Sequence, residues 1–189
     1  GFIDINQANK ANEDPIGLLM KKALDGVVIV PWAIMLDKWR AALFSGKIDE
    51  SNLNESWWEL REKYQGIAPP IDRPENFFDP GAKYHIPANT PYTRYFLASI
   101  MQYQFHEALC NAINFDGPLH ECSIYDSKKA GERVISTMAL GQSVPWQDAF
   151  EKLTGSRELS GKSILNYYAP LKNWLDEQNQ NRTCGWEKS

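Results

Sequence analysis

The 189-residue chain is poor in the side chains on which metal and nucleophile chemistry depend. It has three histidines, His85, His106 and His120, and three cysteines, Cys110, Cys122 and Cys184. Histidines this far apart in sequence make no self-contained zinc site. His106-Glu107 begins like the helical His-Glu-x-x-His motif, but position 110 is Cys where the second His belongs. No serine sits in a nucleophile-elbow pattern, so neither a metal centre nor a Ser or Cys triad is legible. No apolar run approaches the roughly 20 residues that cross a bilayer. An excess of basic residues is also missing: the formal net charge is −4 with both signs interspersed, which argues against nucleic acid as a partner. The chain has no charged-then-apolar leader and opens on Gly1, not Met, which reads as a processed or excised piece.

What is present is helix signal. The length suits one substantial core and one domain or part of one. Residues 1–12 read as the polar tail of something upstream. Asp14 caps a helix opened by Pro15, and the run from Val27 to Phe44 reads as a buried helix kinked at Pro31. Ser51 to Tyr64 makes a third helix, in which Trp57 and Trp58 read as a core pair with Arg61 at the rim. A proline-rich connection covers 66–79. A long helix follows from Pro91 to about Ile113, then helices from Ser127 to Leu140, Pro145 to Leu153, and Ser160 through Leu175. The predicted class is all-α, with very little sheet and no internal repeat. Cys110 and Cys122 could close a loop as a disulfide, leaving Cys184 over; a metal reading of Cys110, His120 and Cys122 is the weaker one. Asn54-Glu-Ser and Asn181-Arg-Thr are glycosylation sequons compatible with secretion.

The unusual chemistry lies between Gly81 and Phe96. Pro87 biases Ile86 toward extended geometry, so Lys83 and His85 are expected to project to one side of an extended segment. Asn89 or Thr90 is expected to cap the helix that follows, with Pro91 at its first position. Tyr92 and Tyr95 then share a face, which continues through Ser99, Gln102 and His106. Taken singly, such polar groups are usually satisfied core residues; five on one face predict a wet cavity. Arg94, a cation in the first helical turn, needs either a small anion held with the free N–H groups or an acid from a distant segment. Lys83, His85, Tyr92 and Tyr95 could bind a carboxylate and an oxyanion, without supplying a nucleophile.

The motifs are long enough to carry a resemblance. Asp79-Pro-Gly-Ala-Lys-Tyr-His-Ile-Pro87, Pro91-Tyr-Thr-Arg-Tyr-Phe96 and Gln104-Phe-His-Glu-Ala-Leu-Cys110 resemble the C-terminal part of angiotensin-converting-enzyme-type zinc peptidyl-dipeptidases. Trp57-Trp-Glu-Leu-Arg61, Lys63-Tyr-Gln-Gly66, Gly117-Pro-Leu-His-Glu-Cys122 and Ser127-Lys-Lys-Ala-Gly131 fit the same family, so the similarity extends over nearly the whole chain. The resemblance implies that residues 1–189 are the C-terminal catalytic-lobe portion of a two-lobed zinc metallopeptidase that removes dipeptides from the free C-terminus of peptides. It places the zinc ligands and the general-base Glu upstream, so this stretch alone is expected to be inactive. It assigns Lys83 and Tyr92 to the substrate carboxylate, His85 to the substrate backbone and Tyr95 to the tetrahedral oxyanion. It assigns Arg94 to one chloride, and Trp57 with Arg61 to a second, in place of the plain core reading. Zinc and chloride are the implied cofactors; the implied partners are a peptide and the zinc-bearing N-terminal portion of the same protein. It also implies an oxidised Cys110–Cys122 pair and an extracellular or periplasmic location. The alternative is a zinc-free homologue that keeps the pocket to bind peptides or a partner.

Overall fold

A computed structural model describes residues 14–183 and 185. Among them the chain is all-α: α1 (Pro15–Gly26), α2 (Ile29–Phe44), α3 (Leu53–Gln65), α4 (Thr93–Ala112), α5 (Lys128–Met138), α6 (Trp146–Thr154) and α7 (Lys162–Gln178), with short 3-10 turns at Asp79–Ala82 and Leu119–Glu121. No strand occurs among the described residues. The expected polar tail, residues 1–12, and the leftover Cys184 lie outside them. The chain divides into two compact units. Among the described residues, one takes 14–20 and Ile100–Gln178, the other Lys21–Ser99 with 179–183 and 185.

Local chemistry accounts for most helix ends. Asp14 Oδ1 accepts the Gly17 N–H at 2.8 Å, so α1 begins where an acid precedes Pro15. Ser127 accepts from the Ala130 N–H at the start of α5, and Gly155, at φ +81°, closes α6 in a conformation that other residues rarely adopt. Two expectations for α2 need correction. The helix begins at Ile29, and Pro31 lies in its first turn, where a missing N–H has no helical partner to lose. Pro31 therefore marks a helix start in place of a kink.

The unit that holds residues 21–99 is built on α2. Ala33, Met35, Leu36 and Trp39 are buried with Ile48, Trp57 and Tyr92, and Ile29, Trp32 and Ile86 pack against them. The Trp39 indole N–H meets the Leu53 carbonyl and Ser56 Oγ, and its ring stands edge-on to Trp57 at 5.9 Å. Burying a Trp of this kind satisfies its one donor while contributing large apolar area. The start of α3 is closed from a distance, since Glu75 accepts the N–H groups of Asn54 and Glu55 at 2.8 and 2.7 Å.

Asn54 is fully buried. Its amide donates to the Arg73 carbonyl at 2.9 Å and to Asp79 at 3.2 Å, and its oxygen accepts the Asp79 N–H at 2.9 Å. Trp58 Nε1 donates to the same Asp79 carboxylate at 2.8 Å, and Arg73 pairs with both of its oxygens. The network pins the residue that opens the Asp79–Ala82 turn, directly before Lys83. Charge-assisted bonds from Arg73, ahead of those from Trp58 and Asn54, hold the Asp79 carboxyl at about 2, well below its ordinary 3.8.

The other unit gathers Leu109, Ala130 and Leu153, with Phe105, Ile113, Ile124 and Val134 around them. The Tyr103 and Tyr168 hydroxyls meet at 2.7 Å, and burial pushes the Tyr168 phenol far up. Cys110, in α4, is bridged to Cys122 across twelve residues.

Candidate functional site

Residues 83–90 carry the first two site side chains, and they do not run extended. The Ile86 N–H bonds the Lys83 carbonyl at 2.8 Å, Ala88 bonds Tyr84 at 3.0 Å and Thr90 bonds His85 at 2.9 Å, making a series of tight turns. Pro87 restricts the residue before it, but these turn hydrogen bonds decide the path of the rest. Helix α4 starts at Thr93, two residues later than expected. Its cap is neither Asn89 nor Thr90. Asp37, on α2, accepts the N–H groups of Tyr92 and Thr93 at 2.7 and 2.6 Å and the Thr93 hydroxyl at 2.6 Å. The distant acid thus occupies the N–H groups at the start of α4, and forms no ion pair with Arg94 among the described residues. Burial raises the Asp37 carboxyl, and the bonds from Thr93, Arg40 and Tyr92 together outweigh it, leaving the group below its ordinary value.

Arg40, one turn along α2, pairs with Asp37 at 3.0 Å and donates to the Asn89 side-chain oxygen at 2.6 Å. Asn89 has φ +49°, in the left-handed region that Asn tolerates. One charged pair on α2 therefore holds both the end of the turn segment and the start of α4.

Between these anchors the four predicted side chains converge. The His85 ring lies 4.7 Å from the Tyr92 ring and 5.6 Å from that of Tyr95, and the two tyrosine rings are 4.5 Å apart. His85 Nε2 is 3.3 Å from the Tyr95 hydroxyl. Its Nδ1 is buried with no partner among the described residues. Lys83 Nζ sits 4.9 Å over the Tyr92 ring and 5.8 Å over Trp32, and the lysine joins no ion pair among the described residues. Tyr92 is 6% exposed and Tyr95 40%, so one phenol anchors the cluster and the other faces outward.

Trp32 connects this cluster to the tryptophan pair. Its ring stands edge-on to Tyr92 at 6.4 Å and to Trp57 at 5.6 Å, and the Arg61 guanidinium lies 4.8 Å over it and 5.8 Å over Trp58. Arg61 Nε is buried without a partner, and burial lowers the guanidinium from its ordinary value. A desolvated cation with an orphaned donor is chemically suited to a small anion. Trp57 itself is a core residue. Arg94 is exposed and takes no part in the ion pairs formed among the described residues.

The expected polar stripe does not continue as one wet surface. Ser99 is buried and donates to the Tyr95 carbonyl at 2.7 Å, while the His106 ring reaches the Leu119 carbonyl at 3.1 Å. His106 is a hydrogen-bonded packing residue beside the disulfide. It forms, with Cys110 and Cys122, the one group of three metal-type donors among the described residues, with ligand atoms within 4.8 Å. Both sulfurs are committed to the disulfide, so neither is available as a thiolate ligand. The described residues thus offer no donor set that fits zinc.

A family model for angiotensin-converting enzyme matches residues 2–186. The chain belongs to the angiotensin-converting enzyme family. It is 47% identical over 176 residues to angiotensin-converting enzyme of Mesocricetus auratus, covering 92% of this chain and 13% of that protein. It is 46% identical over 177 residues to the enzyme of the same name from Theromyzon tessulatum, covering 92% of this chain and 29% of the relative. It is also 43% identical over 184 residues to angiotensin-converting enzyme-like protein Ace3 of Mus musculus, covering 96% and 25% respectively. The chain therefore spans less than a third of the length of these members of the angiotensin-converting enzyme family.

Sequence reading named Lys83, His85, Tyr92 and Tyr95 and missed the residues that hold them. Asp37 and Arg40 stand three apart in a helix whose remaining residues, apart from Lys38, are apolar, which was the available signal. Asn89 was expected as a cap and serves instead as an acceptor for Arg40.

Proposed function

We propose that this chain is the substrate-gripping, C-terminal portion of a peptidase that releases dipeptides from the free C-terminus of peptides. One observation carries the reading: a lysine with no acid partner among the described residues meets a histidine and two tyrosines in one cluster, in a chain of the angiotensin-converting enzyme family. An ammonium flanked by aromatic faces, with no carboxylate of its own, is ready to take one from a substrate. Lys83 and Tyr92 bind the terminal carboxylate and so set which end of the peptide enters.

His85 and Tyr95 act at the scissile carbonyl. If the Tyr95 proton pointed at Nε2, the proton of neutral His85 would sit on Nδ1, a buried N–H without a partner. The other tautomer avoids this: Nε2–H donates to the Tyr95 oxygen and frees the phenol proton to point outward. The freed phenol donates to the oxyanion as the tetrahedral intermediate forms, where a preorganised donor counts most.

Zinc, the family's cofactor, would polarise the carbonyl and generate the attacking hydroxide. The family resemblance puts its ligands in another portion of the full protein, and the 189-residue chain alone is expected to be inactive. Chloride fits best at Arg61, whose buried Nε has no partner among the described residues, with Trp57 one turn before it on α3 and against the same Trp32 ring. Arg94 is the ligand for a second chloride. The Cys110–Cys122 bridge suits an extracellular or periplasmic setting.

The test is to assay the full-length protein and the 189-residue chain, each with zinc and chloride, on a peptide with a free or an amidated C-terminus. Dipeptide release by the full-length protein, from the free peptide only, supports the reading. Release by the short chain, or equal use of the amide, overturns it.

A further inference from the structure

We propose that Asp37 is a positioning residue for the His85/Tyr92/Tyr95 cluster, an inference that rests on the functional reading above and adds a residue to it. Asp37 does not touch the cluster through its side chain; it holds the backbone that carries it. One oxygen accepts both N–H groups at the start of α4 and the Thr93 hydroxyl, and the other accepts from Arg40, which reaches on to Asn89. The two segments that bear the site, residues 83–90 and 92–95, are thus tied to α2 by one carboxylate and one guanidinium. These ties span 49 to 56 residues of sequence, so no local turn could replace them.

The need for such a tie follows from the geometry. Asn89 sits at φ +49°, and the turns before it are closed by backbone bonds, by the Thr90 hydroxyl on the Ala88 carbonyl and by the packing of Ile86 on the α2 core, none of which reaches the start of α4. Tyr92 precedes the first residue of α4, outside the regular helix, yet its ring must meet His85 at 4.7 Å and Tyr95 at 4.5 Å. Without the Asp37 acceptor, two N–H groups and a hydroxyl lose their partner together, and the first turn of α4 is free to fray. A fray of about 1 Å at Tyr95 is enough to weaken catalysis by about 10²-fold, with no contact to substrate removed.

The experiment uses the full-length enzyme with Asp37→Ala and Asp37→Asn. D37A is expected to lower kcat/KM about 10²-fold, chiefly in kcat, and D37N, which keeps an oxygen acceptor, to recover about tenfold of that. Hydrogen exchange at the amides of Tyr92 and Thr93 is read in the same proteins and is expected to quicken in D37A relative to wild type. Unchanged kcat and KM per folded molecule, with only a lower unfolding midpoint, would show Asp37 to be a stabilising residue and overturn the proposal. If wild type releases no dipeptide, the functional reading fails on that result alone, and the exchange rates still decide whether Asp37 holds the cluster: equal rates in wild type and D37A overturn it. Should D37A not fold, D37N alone decides by the same measurements.

Discussion

His85 Nε2 lies 3.3 Å from the Tyr95 hydroxyl, within reach of a long hydrogen bond that can tighten when substrate arrives. The pair brings together a turn segment and the first turn of a helix, ten residues apart. Neither group has a charge partner among the described residues, and their work is hydrogen bonding.

Removing the phenol isolates that work. Tyr95→Phe in the full-length enzyme is expected to lower kcat by about 10²-fold with little change in KM, because the lost bond forms only as the oxyanion develops. Steady-state kinetics on a single peptide check this. A rise in KM at constant kcat would move Tyr95 into ground-state binding.

Lys83 should show the opposite split. Its ammonium is held between the Tyr92 and Trp32 rings and meets a group that is charged in substrate and transition state alike. Lys83→Ala is therefore expected to raise KM by about 10 to 10²-fold and leave kcat within a few-fold of wild type. The same assay with an amidated peptide supplies the control: the difference between wild type and K83A should shrink when the substrate has no carboxylate.

Much of the fold was legible because its causes are local. Asp14 before Pro15, Ser127 before α5 and Gly155 after α6 each act within a few residues, and each ends or begins a helix where expected. The failures share a different cause. Pro31 has the same chemistry in a first turn as at a kink, and only the position of Ile29 distinguishes them. The turns of residues 83–90 depend on hydrogen bonds that a proline-based rule does not count. The cap of α4 comes from Asp37, 55 and 56 residues before the groups it binds, and no spacing rule reaches that far.

The candidate site follows the same division. Lys83, His85, Tyr92 and Tyr95 stood out by type and by resemblance, whereas Asp37, Arg40 and Asn54 matter through partners that only the folded chain brings close. His106, counted with the polar stripe, bonds the Leu119 carbonyl instead.

Asp79 makes the fold sensitive to acid in a defined window. Its carboxyl titrates at about 2 in the folded chain against an ordinary 3.8, so between those values the unfolded chain binds more protons. The stabilisation is complete above about pH 4 and is lost as pH falls toward 2. Denaturant titrations of wild type and Asp79→Asn at pH 5, 4, 3 and 2 should show wild type the more stable at pH 5, with the gap closing as acid is added. A gap independent of pH would mean that Arg73, Trp58 and Asn54 do not depend on the charge of Asp79.

The sequon at Asn54 should carry no glycan. The side chain is fully buried, with its amide and its oxygen both bonded to the Arg73 to Asp79 segment, and a sugar on that nitrogen could not be accommodated in the folded chain. Peptide mapping by mass spectrometry, on protein secreted from a eukaryotic host, is expected to find residue 54 unmodified. Substantial occupancy there would contradict the Asn54 network.

The Cys110–Cys122 bridge closes a loop of twelve residues, and its effect comes mainly from what it denies the unfolded chain. A loop of this size is worth about 3 kcal/mol in the chain-entropy account. Replacing both cysteines with serine should therefore lower the unfolding free energy by about that amount, read by denaturant titration under non-reducing conditions. Adding a reductant to wild type should produce a similar loss and leave the double variant unaffected. His106 provides an internal check, because it packs beside the bridge yet holds its own bond to Leu119. If zinc restored the reduced wild type but not the serine variant, the sulfurs would be acting as ligands; no effect of zinc on either leaves the disulfide as the structural element.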